Sequence, residues 1–428
     1  MKNLINRRRW LKQSLTGSAG LLSAPTFAAK ASSLHINFGA KPKAVIAGAG
    51  VMGSWTAYFL AKAGCEVTIC DPWGAGNPRA SSGGESRIIR YMYGENEIYF
   101  DLARRAMELW KQEEKNVGKQ LFYQNGMLIF SEMPRYEYAE ISRPLYEKAG
   151  LKLQKISANL LKSQYPYFRT DDLDHAIYDP EAGYLLAAES CQAVSQAVAR
   201  EGGKFIHAAA QPGEIMGGPM EQITLGDGTR LQADVFVFAN GPWLGRSFPE
   251  LLEGKLRVTR QPVFFFGPPA DFAQKLDRPF PVWMNRDAAN RERCYGVYDP
   301  RLSAFKLAYT QLEEQELDPS DDARIVRPEE IAHARYLMEK RFAFMKDAPL
   351  LYTKVCQHTD TPDKNFILDQ HPEADNVWLL GGGSGHAFKH GPALGELAAR
   401  SIRAETGKTE DFSVPRLASL KSFTSTHK

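Results

Sequence analysis

Lys43–Ala47 is a short apolar run that ends at Gly48, and from Val51 to Ala63 the apolar residues recur at helical spacing. Cys65–Asp71 forms a second apolar run, so this stretch predicts strand, helix, strand, with both strands buried. Alternation returns further along. Ser190–Glu201 has a helical period, Lys204–His207 reads as a strand, and Asp234–Ala239 is a buried strand that ends in the turn Asn240-Gly241-Pro242-Trp243. Stretches of different character lie between: Gly126–Ser131 and Val258–Phe266 are β-rich, and Glu329–Phe344 predicts a long amphipathic helix. Pro212–Pro219 and Glu313–Asp322 read as solvated loops, and no internal repeat is visible. The pattern predicts an α/β fold in which one discontinuous domain is interleaved with a β-rich second domain.

Chemistry enters at the first turn. Gly48, Gly50 and Gly53 form a GxGxxG pattern between a strand and a helix. The first glycine permits the tight turn, the second lets backbone approach a pyrophosphate, and the third lets helix and strand pack closely. Val51 and Met52 lie at the helix N-terminus that would face the phosphates. Asp71, at the end of the second strand, stands where an acid bonds a ribose hydroxyl. The Gly241 turn again brings backbone close to a ligand.

The N-terminus changes the reading of charge. The chain has 428 residues, 43% hydrophobic, and a formal charge of +3. Residues 1–31 hold six cations and no acid; without them, 47 basic residues face 50 acidic ones, a balance that offers nothing for nucleic acid or an anionic membrane. Asn6–Lys12, NRRRWLK, resembles a twin-arginine export signal, and small-residue cleavage sites follow Ala28 and Ala31. The expected location is therefore periplasmic or otherwise exported, with folding completed before export. No apolar run reaches the length of a membrane span. Cys65, Cys70, Cys191, Cys294 and Cys356 are scattered and form neither a zinc-ligand spacing nor a disulfide framework, so no metal is expected.

Three separated motifs then point one way: AVIAGAGVMG, SSGGESRIIRYMYGE, and VCQHTDTPDKNFILDQHP leading into GGGSGHAFK. Together they resemble the monomeric sarcosine oxidase family, which includes N-methyltryptophan and pipecolate oxidases, over about residues 43–415. The resemblance implies a glutathione-reductase-like Rossmann FAD domain interleaved with an antiparallel-sheet substrate domain. It assigns 40–120, 187–255 and 350–412 to FAD binding and 121–186 and 256–349 to the substrate domain. It further implies a monomer that oxidises a secondary, N-methylated or cyclic amino acid to an imine, passing electrons to dioxygen and giving hydrogen peroxide.

Site residues follow from the same resemblance. Cys356 carries the covalent flavin link, and Arg90 and Lys389 hold the substrate carboxylate, a fork and a point charge respectively. Lys306 activates dioxygen by stabilising the anion that forms there. Arg87 lies near the flavin, Tyr295 borders the substrate pocket, and Ser82, Gly383, Gly385 and His386 join the cofactor-binding set, His386 through its backbone more than its imidazole. Two departures stand out. Ser82 and Gly83 replace a histidine pair, and Thr310 replaces a pocket histidine, so the substrate is expected to differ from sarcosine.

Other readings keep the scaffold but change the chemistry: a flavin dehydrogenase serving a quinone or carrier protein, a nicotinamide dehydrogenase using only the first Rossmann unit, or a non-catalytic flavin-binding protein. The chain has no GxSxG elbow, HExxH motif or Walker loop to support hydrolase, metalloprotease or triphosphatase chemistry.

Overall fold

The computed structural model describes residues 41–132, 138–286, 293–310 and 315–404. The expected export signal at 1–31 lies outside the described residues, as does the end of the 350–412 segment.

Strands β1 (Lys43–Ala47) and β2 (Glu66–Cys70) lie side by side within a six-stranded sheet. Its order is Ile367–His371, Ala374–Gly381, Val235–Phe238, β1, β2, Lys204–Ile206. Neighbours are parallel except for the Ile367–His371/Ala374–Gly381 hairpin. Parallel strands are covered on both faces, which is why these segments read as continuous apolar runs without alternation. Helix α1 (Val51–Lys62) joins β1 to β2 and is buried almost all round. On one side Ser54 Oγ meets Ser195 Oγ at 3.3 Å in the helix Ala187–Arg200. On another, the helix Gly391–Ala404 approaches so closely that a Cβ on Gly395 would sit 2.5 Å from the Trp55 carbonyl carbon.

The β-rich stretches form an eight-stranded sheet in the order Leu350–Asp360, Arg257–Phe266, Ala304–Tyr309, Cys294–Asp299, Val282–Arg286, Met127–Glu132, Leu173–Asp179, Gln154–Ser157. All pairings are antiparallel except Val282–Arg286 with Met127–Glu132. One face packs on an aromatic core that includes Phe168, Phe280, Trp283, Phe305 and Phe342. The predicted helix at 329–344 runs from Pro328 to Arg341 and stops at Phe342, whose backbone is extended.

The sheets divide the chain differently from the expected segments at two places: Ser86–Ile89 of segment 40–120 pairs with Gly183–Leu186 of segment 121–186, and Leu350–Asp360 changes sheet. Leu350–Asp360, assigned by resemblance to the FAD-binding segment 350–412, is an edge strand of the eight-stranded sheet; only the later strands of that segment join the six-stranded one. Its partner is the long strand Arg257–Phe266, with Gln261 opposite Cys356 and Thr259 opposite His358. On the other side of the same strand, Phe265 stands opposite Lys306.

The close approach at Gly395 has a direct test. Gly395→Val should cost about 1–3 kcal/mol through overpacking and lower the thermal midpoint by several degrees. Gly218→Ala, where an added Cβ meets nothing within 4 Å, should leave the midpoint unchanged in the same thermal scan.

Candidate active site

The carboxyl ends of β1, β2, Val235–Phe238 and Ala374–Gly381 open into a cavity of about 880 Å³ whose opposite wall is the eight-stranded sheet. Ligands of open α/β sheets bind at such strand ends. The three glycines of the first turn play distinct parts. Gly48 has φ +103, and a Cβ there would fall 2.5 Å from Ala239 O; a Cβ on Gly53 would strike Gly48 O at 2.0 Å. Gly50 differs: its added Cβ would face the cavity and meet only Ser82 Oγ, at 3.4 Å. The turn is closed by packing at Gly48 and Gly53 and open toward a ligand at Gly50.

Val51 and Met52 line the cavity at the start of α1, and Val51 N donates to Ser82 Oγ at 3.0 Å. Asp71 also lines it, but its carboxylate is already engaged. Ala49 N donates to Oδ2 at 3.0 Å, while Trp73 N at 2.9 Å and Asn77 Nδ2 at 3.3 Å donate to Oδ1. Asp71 thus fastens the glycine turn as well as facing the ligand space. Burial pushes its pKa up, against those amide hydrogen bonds. Gly241 (φ +53), Gly383 and Gly385 (φ +72) complete the backbone wall. Three buried polar atoms in the wall have no protein partner: Asn240 Oδ1, Gln357 Oε1 and Thr359 Oγ1. An unsatisfied buried polar atom costs about 1–3 kcal/mol, so this wall suits a polar ligand.

Cys356 is half-buried at the cavity, and its Sγ accepts from Arg87 Nη2 at 3.1 Å. Arg87 is held in place by Ser81 O at 2.7 Å and Ser86 O at 2.9 Å, which fixes a permanent positive charge against the sulfur. Cys70 also touches the cavity, but burial pushes its thiol up to about 12.

Arg90 and Lys389 both lie against one ring, that of Tyr93. The Arg90 guanidinium lies 5.4 Å from the Tyr93 ring centre and the Lys389 ammonium 5.1 Å from it. Both are buried, at 8% and 6% exposure. Arg90 donates to Met92 O, and Lys389 Nζ donates to His386 O at 2.9 Å. Among the described residues no carboxylate pairs with Lys389; burial and then Arg90 hold its ammonium well below its ordinary pKa.

His386 contributes more than its backbone. Its Nδ1 pairs with Tyr93 OH at 3.0 Å and its Nε2 with Lys364 O at 3.0 Å, while burial lowers its pKa to about 3. Tyr93 OH also meets His390 Nε2 at 2.6 Å. Tyr93 and His390 were missed by sequence reasoning, although Tyr93 sits within the motif that carries Arg90 and His390 directly follows the one that carries Lys389. Two cavity residues besides Tyr93 were also missed: Arg293, two residues before Tyr295, and His358, two residues after Cys356.

Lys306 stands apart from the main cavity. It lines a second space of about 20 Å³ with Gly83, Gly84, Glu85, Arg87, Lys354 and Cys356, so Arg87 and Cys356 form the wall between the two. Its Nζ donates to Ser86 O at 2.5 Å, and burial, reinforced by Arg87, lowers its pKa to about 7. Tyr295 borders the main cavity with its ring centre 6.0 Å from Lys306 Nζ, and burial raises its pKa. At the departures, Ser82 and Thr310 face the main cavity. Gly83 has no room for a side chain, since a Cβ would stand 1.9 Å from Asn77 O.

The comparisons with known proteins agree with this geometry. Residues 43–401 match the family described as FAD dependent oxidoreductase. The chain is 29% identical over 395 residues to monomeric sarcosine oxidase of Bacillus sp. (strain B-0618), covering 89% of this chain and 98% of that one. It is 27% identical over 363 residues to N-methyl-L-tryptophan oxidase of Yersinia pestis (strain Pestoides F), covering 83% and 93%. Among solved structures, L-proline dehydrogenase from P. horikoshii superposes with a TM-score of 0.74 at 20% identity, over 86% of this chain and 95% of that one, a likeness of fold. With a glycine turn shaped for a dinucleotide, a cavity at the strand ends and a match across nearly all the described residues, the chain belongs to the FAD dependent oxidoreductase family.

Proposed function

We propose that the protein oxidises the C–N bond of a secondary, N-methylated or cyclic amino acid to an imine, passing the electrons to dioxygen and forming hydrogen peroxide. The observation that carries this reading is the buried Arg90–Lys389 pair. Burying two cations side by side is costly unless an anion joins them, and Lys389 has no acid partner among the described residues. A substrate carboxylate supplies that anion, with Arg90 offering a fork and Lys389 a point charge. The names of the sarcosine and N-methyltryptophan oxidase relatives support an N-substituted amino acid.

FAD fits the residues present. The Gly50 opening and the α1 N-terminus suit a pyrophosphate, Asp71 suits a ribose, and the unpartnered Asn240, Gln357 and Thr359 atoms suit polar groups of the cofactor. Bound there, FAD supplies a two-electron acceptor. Cys356, half-buried against Arg87, would hold it covalently. The protein's own task is to bind and orient. Arg90 and Lys389 fix the carboxylate, and the cationic surroundings favour the neutral amine over its ammonium form, leaving the nitrogen lone pair free for C=N formation. Tyr295, Tyr93 and His386 wall the site, and His390 backs the Tyr93 hydroxyl from behind.

Lys306 supports dioxygen as the acceptor, since an ammonium fixed in a small buried space stabilises negative charge developing on that molecule. The cation-rich, acid-free residues 1–31 support export of the folded, cofactor-loaded monomer through the twin-arginine machinery.

Mixed anaerobically with a panel of N-methyl and cyclic amino acids, the protein should lose its yellow colour, and Arg90→Met or Lys389→Met should each reduce the second-order rate by roughly 10- to 100-fold. No bleaching with any amine would overturn the reading. Acid precipitation should leave the colour in the wild-type pellet and release it from Cys356→Ser; colour released from both would refute the covalent link. Lys306→Met should slow reoxidation in air by on the order of 10²-fold or more. The same variant tests burial of the ammonium by thermal unfolding. Lys306 falls from 10.5 in the unfolded chain to about 7 when folded. Between those values the unfolded chain binds the extra proton, so this site's contribution to stability rises with pH. Wild type should therefore gain on Lys306→Met from pH 7 to pH 10, and parallel profiles would contradict the shift.

A further inference from the structure

Alternate residues of a strand point to opposite faces, and Cys356 and His358, two apart on Leu350–Asp360, both line the main cavity. Cys356 has a part in the proposed chemistry; His358 so far has none. Its ring lies against the backbone of Gly385, where an added Cβ would stand 2.7 Å from Cε1 and 2.8 Å from Nδ1. A glycine at 385 therefore makes the room that the ring occupies. The next residue, His386, gives the carbonyl that holds Lys389 Nζ. The imidazole and the carboxylate clamp thus border one short turn. Among the described residues the His358 ring makes no hydrogen bond, so it is open to whatever fills the cavity.

The charged groups around this ring come from four elements. Asp360 lies on its own strand and Lys364 on the turn beyond it; Arg87 and Arg293 face it from the Ser86–Ile89 strand and the start of Cys294–Asp299. Burial is the largest influence. Asp360 opposes it and the three cations reinforce it, leaving the imidazole neutral well below pH 7, with a pKa lowered to about 4.

We propose that His358 determines specificity at the amine end of the substrate, its ring accepting a hydrogen bond from the substrate N–H while Arg90 and Lys389 hold the carboxylate. This rests on the carboxylate-clamp reading above and adds a substrate class to it: amines that keep at least one N–H, in preference to tertiary amines. Arginine and lysine can only donate, so an N–H needs a different partner. The acids nearby are already engaged, Asp71 by Ala49, Trp73 and Asn77, and Asp360 by Lys364 at 3.0 Å. A secondary amine bound neutral has one N–H to donate and one lone pair that must stay free. An acceptor at a fixed place orients both at once.

The test uses two ring carboxylates that match in shape and differ in the N–H: pyrrole-2-carboxylate and furan-2-carboxylate. Each is titrated into the purified flavoprotein and followed by the change in its visible absorption. Wild type should bind the pyrrole roughly tenfold more tightly than the furan, the worth of one hydrogen bond in a buried site. His358→Phe keeps the bulk and should bring the ratio to about one, and His358→Gln, which keeps an acceptor, should restore most of the preference. A wild-type ratio near one, or a preference that survives in His358→Phe, would overturn the inference while leaving the clamp intact. The clamp is read separately. If Arg90→Met and Lys389→Met bind both rings as tightly as wild type does, the carboxylate reading falls, and the inference falls with it.

Discussion

The gathering of buried positive charge is the constraint on which this molecule turns. Arg87 and Arg90 from one segment, Lys306 from a second and Lys389 from a third are drawn into one region. Each is held by backbone carbonyls: Ser81 and Ser86 for Arg87, Met92 for Arg90, Ser86 for Lys306, His386 for Lys389. Carbonyl dipoles offset part of the desolvation cost but do not neutralise a charge. The scaffold must therefore be stable enough to hold these groups away from water, Lys389 above all, which has no acid partner among the described residues. The continuous apolar strands of one sheet and the aromatic core behind the other supply that stability.

The arrangement also sorts the cations by task. Arg90 and Lys389 lie against the Tyr93 ring in the large cavity, where an organic anion fits. Lys306 faces a space that admits little more than one water-sized molecule. Arg87, with Cys356, stands in the partition. One wall thus divides the ligand spaces by size, and the sheet register sets it: the strand Arg257–Phe266 carries Lys306 on one flank and Cys356 on the other.

Much of this was legible in the sequence because the signals were local. The β1–α1–β2 unit announced itself through apolar runs and three glycines, and Arg90, Lys389 and Cys356 stood inside recognisable motifs. What escaped needed strand direction or distant contact. Leu350–Asp360 was assigned by its neighbours in sequence, but strand pairing put it at the edge of the other sheet. His358 was quoted within a motif and passed over, because only the two-residue period of an observed strand shows that it shares a face with Cys356. Arg293 likewise depends on Tyr295 for its meaning. The role of the His386 ring was underestimated for a related reason: its partners, Tyr93 and Lys364, come from distant segments.

The contact at Gly83 ties two parts of the site together. A side chain there would collide with Asn77 O, and Asn77 also fastens Asp71 and, through its Oδ1, the Arg79 and Ala80 amides. Any side chain at position 83 would have to displace the turn that also braces the acid beside the glycine loop, so the shape of the cofactor cradle and the identity of residue 83 are set together.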